Sequence, residues 1–342
     1  MNLTEIKNYV TKIVSGHGMI SLYLVLKEDF NGDKRYCKYL VKHDNNSTSD
    51  SLWKMFTDYL KERIIDDSDL NTSGIEDLPE LSSSDGLSGR IYAYDYPLDN
   101  IPEALVLFKD YDAQKDKRSN YSLDKEPKFD FNKHNLSNLT GFIIHLRVGK
   151  DDCVLYKKAY NINILKRDKF LYVFGKDNLC KRVEGDFLKL DGKVELLKIN
   201  NEIFVLDVKT LETKLGLDSL IKKEAAKGLE YIEKLNIVKN FAALKEHGMT
   251  NLSLAKKLAK ISRVSPVVTK NISKDTIINF AKGNDILKVR FKFDNGQIKL
   301  TTKSIPSFLS LLNDSFLNSG LTNELYEAHA KDRMVKAERV KQ

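Results

Sequence analysis

The sequence predicts an α+β protein built from two modules, and three observations support this fold class. The chain has 342 residues, which is enough for two domains of ordinary size. Its N-terminal part mixes helical and strand patterns, whereas residues 140–206 contain closely spaced strand patterns that are followed by helices and a hairpin. Hydrophobic residues make up 42% and charged residues 30% of the chain, which excludes the disordered and fibrous classes.

The N-terminal module begins with alternating helices and strands. Thr4 precedes apolar residues at helical spacing, which predicts a capped amphipathic helix. Residues 19–26 and 36–41 are predicted to pair as strands, because the turn-forming residues Asn-Gly-Asp at 31–33 lie between them. A second helix is expected over residues 49–65.

A loop and a polar stretch follow this second helix. Residues 66–89 are rich in Ser, Asp and Gly and predict a long loop, which a strand at 91–94 and an apolar run at 104–108 follow. Residues 111–138 are charged and polar with little periodicity, so the domain boundary is expected there.

The C-terminal module begins with a β-meander. Its strands are predicted at residues 141–148, 153–160, 170–174, 187–190, 194–199 and 203–206. Asp218 can cap a long helix to residue 235, and two more helices are expected over 250–261 and 273–282. A hairpin over 287–302 and a helical region from residue 305 to the end complete the prediction.

The two modules carry opposite net charge. Residues 1–139 contain 18 Lys and Arg against 24 Asp and Glu, whereas residues 140–342 contain 38 against 24. This contrast predicts an acidic module, 1–139, for partner or self association, and a basic module, 140–342, that binds a polyanion. Self association would make the protein a homodimer or a higher homo-oligomer. Ordinary solvation of a lysine-rich protein is the alternative.

Composition also predicts the compartment. The longest apolar run, residues 19–26, is far shorter than the roughly 18 residues that span a bilayer, and we expect no signal peptide. Cys37, Cys153 and Cys180 lie far apart without a CxxC spacing, which disfavours a disulfide framework and a thiolate zinc site. We expect a soluble protein of the reducing cytoplasm that holds no metal or other cofactor.

Basic residues concentrate in residues 239–303, which contain 14 Lys and Arg and only four Asp and Glu. The helix expected over 250–261 would carry an apolar stripe of Leu254, Leu258 and Ile261. Its opposite face would present four cations, Lys256, Lys257, Lys260 and Arg263. Like charges on one face repel one another, so this arrangement favours binding of phosphates, although a merely solvated face would show the same pattern.

The hairpin predicts a second cationic surface. Asn295-Gly296 is a strong signal for a two-residue turn, which would pair Phe293 with Ile298, Lys292 with Lys299 and Phe291 with Leu300. The buried face would then contain Val289, Phe291, Phe293, Ile298 and Leu300. The exposed face would contain Lys288, Arg290, Lys292 and Lys299. Directly opposed lysines are destabilising by up to about 1 kcal/mol, which favours an anion between them.

Further candidate cations are Lys270 and, in the basic C-terminal stretch, Lys331 and Arg333. A frayed tail that only improves solubility would explain the last two equally well. Lysine exceeds arginine about fourfold across the chain, which favours phosphate contact without sequence preference over reading of base edges. The expected partner is therefore double-stranded DNA bound non-specifically.

No common catalytic motif is present. The sequence lacks GxxxxGK[ST], GxGxxG after a strand, HExxH and GxSxG, and its six histidines show no ligand spacing. One pattern remains: Asp191 and Asp207 flank a strand pair, and Lys209 follows two residues later. Two carboxylates and a lysine at adjacent strand ends outline a metal-dependent restriction-type nuclease. Alternatively, Asp207 only caps a short helix after the strand.

Three segments carry a resemblance to a known family. They are TGFIIH from Thr140 with CVLYKKAY to Tyr160, the strand pair 194–206, and FLSLLNDSFLNSGLT from Phe308 with Tyr326, Ala328 and Lys331. Over roughly residues 140–335 the chain resembles KwaB-like proteins of the Kiwa antiphage system. Residues 1–139 show no such resemblance.

The resemblance implies a cytoplasmic effector that works with a transmembrane partner, KwaA, and binds phage DNA at the inner face of the membrane. It supplies no catalytic residues. Together with the basic surface, it predicts an antiphage effector that blocks replication or expression of phage DNA by occupancy rather than by cleavage. The alternatives are the nuclease with Asp191, Asp207 and Lys209, and an interaction protein whose lysines only solubilise it.

Overall fold

The computed structural model of the protein describes residues 1–42, 46–67, 70, 78, 80–81, 90–112, 125–165, 171–174, 179–182, 187–322 and 324–328. The described residues form two compact units. Unit 1 contains those from Met1 to Gly216 except Glu80 and Leu81. Unit 2 contains these two residues and those from Leu217 to Ala328.

Unit 1 is built on a seven-stranded antiparallel sheet. Its strands are β1 Met19–Phe30, β2 Asp33–Leu40, β3 Tyr92–Ala93, β4 Leu139–Val148, β5 Asp151–Lys158, β10 Leu196–Ile199 and β11 Glu202–Val205. Their order across the sheet is β2-β1-β4-β5-β10-β11-β3. A turn with positive φ at Asn31 and Gly32 joins β1 and β2. Four shorter strands pair as β6 Ile164–Leu165 with β9 Phe187–Leu188, and as β7 Leu171–Phe174 with β8 Leu179–Arg182.

Helices and a short covering segment bury both faces of this sheet. Helix α1, Leu3–Ser15, begins at a capping box of Asn2 and Glu5, so the cap is Asn2 and not the expected Thr4. With α2, Asn46–Leu60, and the π turn Lys61–Ile65, it packs on one face. On the other face, α3, Val106–Lys109, places Phe108 with its ring centre 5.7 Å from that of Tyr156. Unit 1 also contains 3₁₀ turns at Leu98–Asn100, Glu103–Leu105, Leu136–Asn138 and Asn161–Asn163, and helix α4, Val208–Lys214.

The domain boundary predicted at residue 139 does not match the division of the structure. Strand β1 pairs with β4 from Met19 opposite Arg147 to Leu26 opposite Leu139, so that boundary would divide one sheet. The structure divides instead after Gly216. Residues 1–216 contain 33 Lys and Arg and 35 Asp and Glu, whereas residues 217–342 contain 23 and 13. The basic excess therefore lies after residue 216, and the part before it is nearly neutral rather than acidic.

Unit 2 consists of helices and two hairpins. The helices are α5 Leu217–Leu235, α6 Phe241–Thr250, α7 Leu252–Val264, α8 Pro266–Thr269, α9 Lys274–Gly283, α10 Asp285–Arg290 and α11 Ile305–Leu312. Helices α5 and α7 cross closely, because a Cβ on Gly228 would lie 2.2 Å from the carbonyl oxygen of Leu258. The hairpins are β12 Lys292–Asp294 with β13 Gln297–Lys299, and β14 Phe316–Asn318 with β15 Leu325–Glu327.

The C-terminal elements differ from the prediction in two places. The strand expected from residue 287 is helix α10 up to Arg290, and Asn284 caps it by accepting bonds from the amides of Ile286 and Leu287. The helical region expected after residue 305 ends at Leu312, and a hairpin follows it. Asp314 has a φ of 55°, a left-handed conformation that ends the helix.

Candidate nucleic-acid interface

The β12–β13 hairpin presents two opposed lysines. Its turn residues Asn295 and Gly296 have φ values of 47° and 71°, as a two-residue hairpin turn requires. The register pairs Lys292 with Lys299 and Phe293 with Ile298, which confirms those two predicted pairs. Both lysines are exposed, and the described part of the chain contains no ion pair to either.

The rest of the predicted hairpin face is arranged differently. Lys288 is exposed but lies on α10, and Val289, expected in the core, is 88% exposed. Arg290 lies 3.3 Å from Glu327 in an ion pair. Asp294 is the last residue of β12 and forms an ion pair with Lys239, so the hairpin also contains a carboxylate. Helix α10 ends before the ladder begins, and the cationic pair of the hairpin is therefore Lys292 and Lys299.

The hairpin is fixed to the helical part of unit 2. The amide of Ile298 donates to the carbonyl of Ile237 at 2.8 Å, and the amide of Lys239 donates to the carbonyl of Ile298 at 3.0 Å. Ile298 is fully buried. The opposed lysines are therefore held by a packed backbone rather than by a free loop.

The predicted cationic face of α7 is less open than expected. Ala255, Leu258, Ala259 and Ile261 form its buried stripe. Leu254 of the predicted stripe is only half-buried. The four cations Lys256, Lys257, Lys260 and Arg263 are half-buried as well. Lys257 donates to the hydroxyl of Ser310 on α11 at 3.1 Å. These side chains contribute to packing within unit 2, so they do not form a freely solvated cationic face.

The remaining predicted cations are distributed differently. Lys270 directly follows α8 and is exposed. Lys331 and Arg333 lie outside the described residues. Lys270, Lys288, Lys292 and Lys299 are therefore exposed to solvent, as is Arg290 in its ion pair with Glu327.

The two carboxylates of the nuclease candidate each have a structural partner. Asp207 caps α4 by accepting a bond from the Thr210 amide at 3.0 Å, which matches the alternative interpretation of this residue. Asp191 accepts a bond from Lys157 Nζ at 2.6 Å. Partial burial would raise the pKa of Asp191, but the bond and charge of Lys157 hold it below its usual range. Lys209 is exposed on α4. Among the described residues, no group of three or more His, Cys, Asp or Glu is placed to hold a metal ion.

Sequence reasoning did not identify Glu195, which lies beside these groups. Its side chain is buried, and its Oε2 accepts a bond from the amide of Lys158 at 2.6 Å. Burial raises the pKa of Glu195 to about 7, although the same amide bond opposes the shift. Its neighbours in sequence are apolar strand residues, so no motif indicated a titrating carboxyl here.

A cluster of buried polar side chains lies on the face of the sheet that α3 covers. His145 Nε2 is 3.5 Å from Asp152 Oδ2, and the hydroxyl of Tyr111 is 3.2 Å from His145 Nδ1. Lys198 donates to the carbonyl of Tyr111 at 3.0 Å. These residues come from β4, β5, β10 and the segment after α3, which explains why sequence spacing did not group them.

In the part of the chain that the structure describes, no helix is both long and apolar enough to cross a bilayer.

Comparisons with known proteins extend the resemblance over the whole chain. A family model described as Kiwa protein KwaB-like matches residues 136–322. Kiwa protein KwaB of Escherichia coli O55:H7 (strain RM12579 / EPEC) is 29% identical over 341 residues, which cover 98% of this chain and 99% of that protein. No solved structure matches significantly. The similarity thus includes residues 1–139, for which the sequence alone indicated no relative.

Proposed function

The chain belongs to the family of KwaB-like proteins of the Kiwa antiphage defence system, and on this premise we propose that unit 2 binds DNA without sequence preference. Its role in defence would be to cover phage DNA and so block replication or expression. The phosphate backbone is the common feature of every phage duplex, so a protein that contacts phosphates needs no particular sequence.

The observation that carries this proposal is the opposed pair Lys292 and Lys299. Two exposed lysines directly across an antiparallel ladder repel each other. A phosphate between them would turn this repulsion into attraction. Lys288 and Lys270 add exposed cations to the same unit, and residues 239–303 have a net charge of +10.

A titration of labelled random duplex with the full chain at about 50 and 200 mM salt tests the proposal. If about six phosphates are neutralised, affinity should fall roughly a thousandfold between these salt concentrations. Duplexes of unrelated sequence should bind equally well. Absence of binding at the lower salt concentration, or binding that salt leaves unchanged, would contradict the proposal.

The same binding reaction separates occupancy from cleavage. We propose that a supercoiled plasmid incubated with the protein and Mg²⁺ is retarded on a gel but remains supercoiled after the protein is removed. Nicking that EDTA stops would instead support the nuclease alternative with Asp191, Asp207 and Lys209.

We further propose that a KwaA-like transmembrane protein recruits the chain to the inner face of the membrane, and that the chain acts there as a homodimer or higher homo-oligomer. The family membership supports a shared system of proteins. Co-expression with the partner should move the protein into the membrane fraction, and light scattering should give more than the mass of one 39.2 kDa chain. A monomer that stays out of the membrane fraction in both conditions would contradict these two points.

A further inference from the structure

Unit 2 contains an open groove of about 240 Å³ beside α8 and α9. Pockets for drug-sized ligands run from about 300 to 1,000 Å³, so this one is suited to a single planar ring system rather than to a larger molecule. Its floor is apolar and well buried, and it consists of Val267, Ile277, Leu311 and Phe316.

The rim of the groove has a different character from its floor. Phe280 of α9 lines the groove and remains 41% exposed, so part of its aromatic ring is open to a ligand. Lys270 lines it as well, is exposed, and forms no ion pair within the described residues. Asp314 also lines the groove.

An apolar slot with an aromatic wall and a cation at its mouth matches the chemistry of one nucleotide. A base supplies the flat ring that stacks on an aromatic side chain, and its phosphate supplies the anion for the lysine. In duplex DNA the bases are already stacked on one another, so only an unpaired base can enter such a slot.

We propose that this groove holds one unstacked base of single-stranded DNA, with the base against Phe280 and a neighbouring phosphate at Lys270. This inference rests on the proposed DNA binding by unit 2 and adds a preference for strands that are unpaired. Such strands occur wherever phage DNA is being replicated or unwound. The protein would then bind duplex through exposed lysines and hold open strands more tightly.

Charge favours a nucleotide over the apolar side chain of a partner protein. Seven of the ten residues that line the groove belong to residues 239–303, which contain 14 Lys and Arg against four Asp and Glu. Lys282 of α9 does not line the groove, and its Nζ lies 5.3 Å from the ring centre of Phe293 on the basic hairpin. An anionic strand that reaches the groove meets the exposed Lys270 there, which a neutral peptide would not use.

The test compares a single-stranded oligonucleotide of about 12 thymidines with a random duplex of equal length at one low salt concentration. Phe280→Leu keeps an apolar side chain in the groove but removes the aromatic ring. It should weaken single-strand binding about tenfold, as expected for loss of one stacking contact, and should leave duplex binding unchanged. Phe280→Trp keeps an aromatic ring at this position and should bind the single strand as tightly as the unaltered chain does. The fluorescence of the introduced indole should be quenched by the single strand and not by the duplex.

Val289→Ala is the matched control, because Val289 is 88% exposed in the same basic region but does not line the groove. It should leave binding of both oligonucleotides unchanged. If both oligonucleotides bind but Phe280→Leu leaves their affinity ratio unchanged, the groove does not hold a base and the inference is wrong. If neither binds to the unaltered chain, the proposed function itself fails.

Discussion

At the scale of single residues, the pair Lys292 and Lys299 can be tested by measuring the melting temperature and the DNA affinity of one variant. Charge reversal of Lys292 replaces a repulsive cross-strand pair with an attractive one. Lys292→Glu should therefore leave the melting temperature equal or raise it by a few degrees, while it weakens DNA binding at least tenfold. Calorimetry and a DNA titration at one salt concentration measure the two effects.

Lys54→Glu is the control for Lys292→Glu, because it makes the same change in net charge at an exposed position of unit 1. Its DNA affinity should equal that of the unaltered chain. If Lys292→Glu lowers the melting temperature by several degrees and leaves DNA affinity intact, the hairpin lysines serve folding and the DNA site lies elsewhere.

Glu195 should make stability depend on pH. Burial raises its pKa in the folded protein from about 4.5 to about 7, so the folded chain holds this proton more tightly than the unfolded chain does. The stabilisation that the protonated Glu195 gives the folded protein is complete below about pH 4.5 and is lost as the pH rises through 7. Glu195→Gln, which cannot ionise, should match the unaltered chain near pH 5 and be more stable at pH 8 by roughly 3 kcal/mol.

Melting curves of both proteins between pH 5 and 8 check this expectation. Two parallel curves would mean that Glu195 is already ionised at pH 5. The ion-paired Asp191 and Asp207 should not interfere, because their pKa values lie below the usual range and their contribution changes only in more acidic solution.

At the scale of elements, the crossing of α5 and α7 depends on one glycine. A Cβ on Gly228 would lie 2.2 Å from the carbonyl oxygen of Leu258, and backbone cannot move aside as a flexible side chain can. Gly228→Ala should therefore lower the free energy of unfolding by about 2–3 kcal/mol, despite the higher helix propensity of alanine.

The matched control for this crossing is Gly283→Ala. Gly283 is the last residue of α9, and a Cβ there would have no neighbouring atom within 4 Å. Its free energy of unfolding should be unchanged or raised by up to about 1 kcal/mol. Equal effects of the two substitutions in urea titrations would contradict a close helix crossing at Gly228.

The elements also show what sequence patterns can and cannot determine. Apolar residues at every second position, Val289, Phe291 and Phe293, predicted a strand from residue 287. The cap at Asn284 and the exposure of Val289 reveal instead a short helix before a three-residue strand. Turn chemistry was the more reliable signal, since Asn295-Gly296 correctly gave the register of Lys292 and Lys299.

Half-burial of the lysines on α7 could not be predicted, because it depends on a neighbour that is distant in sequence. Helical spacing correctly gave Leu258 and Ile261 as buried, but the contact of Lys257 is with Ser310. The groove is a similar case. Its lining residues come from α8, α9, α11 and β14, and no spacing in the sequence links them.

At the scale of the whole molecule, the sheet predicts where the chain can be divided. A fragment of residues 1–216 keeps all seven strands of the sheet and should unfold cooperatively. A fragment of residues 1–139 loses the partner of β1 at seven of its eight paired positions and should not fold. Circular dichroism melts of the two fragments would distinguish these outcomes, and a cooperative transition for 1–139 would support the boundary suggested by charge.

The two edge strands of that sheet limit how copies of the protein can assemble. Strand β2 is one edge strand of the sheet, and its residues Asp33, Lys34 and Arg35 are exposed. Strand β3 is the other edge strand and has only two residues. Charged and very short edge strands are poor templates for adding another strand, so they protect a protein against fibre formation. A homo-oligomer of this chain must therefore assemble through side-chain surfaces rather than by continuing its sheet, and concentrated preparations should not bind the amyloid dye thioflavin T.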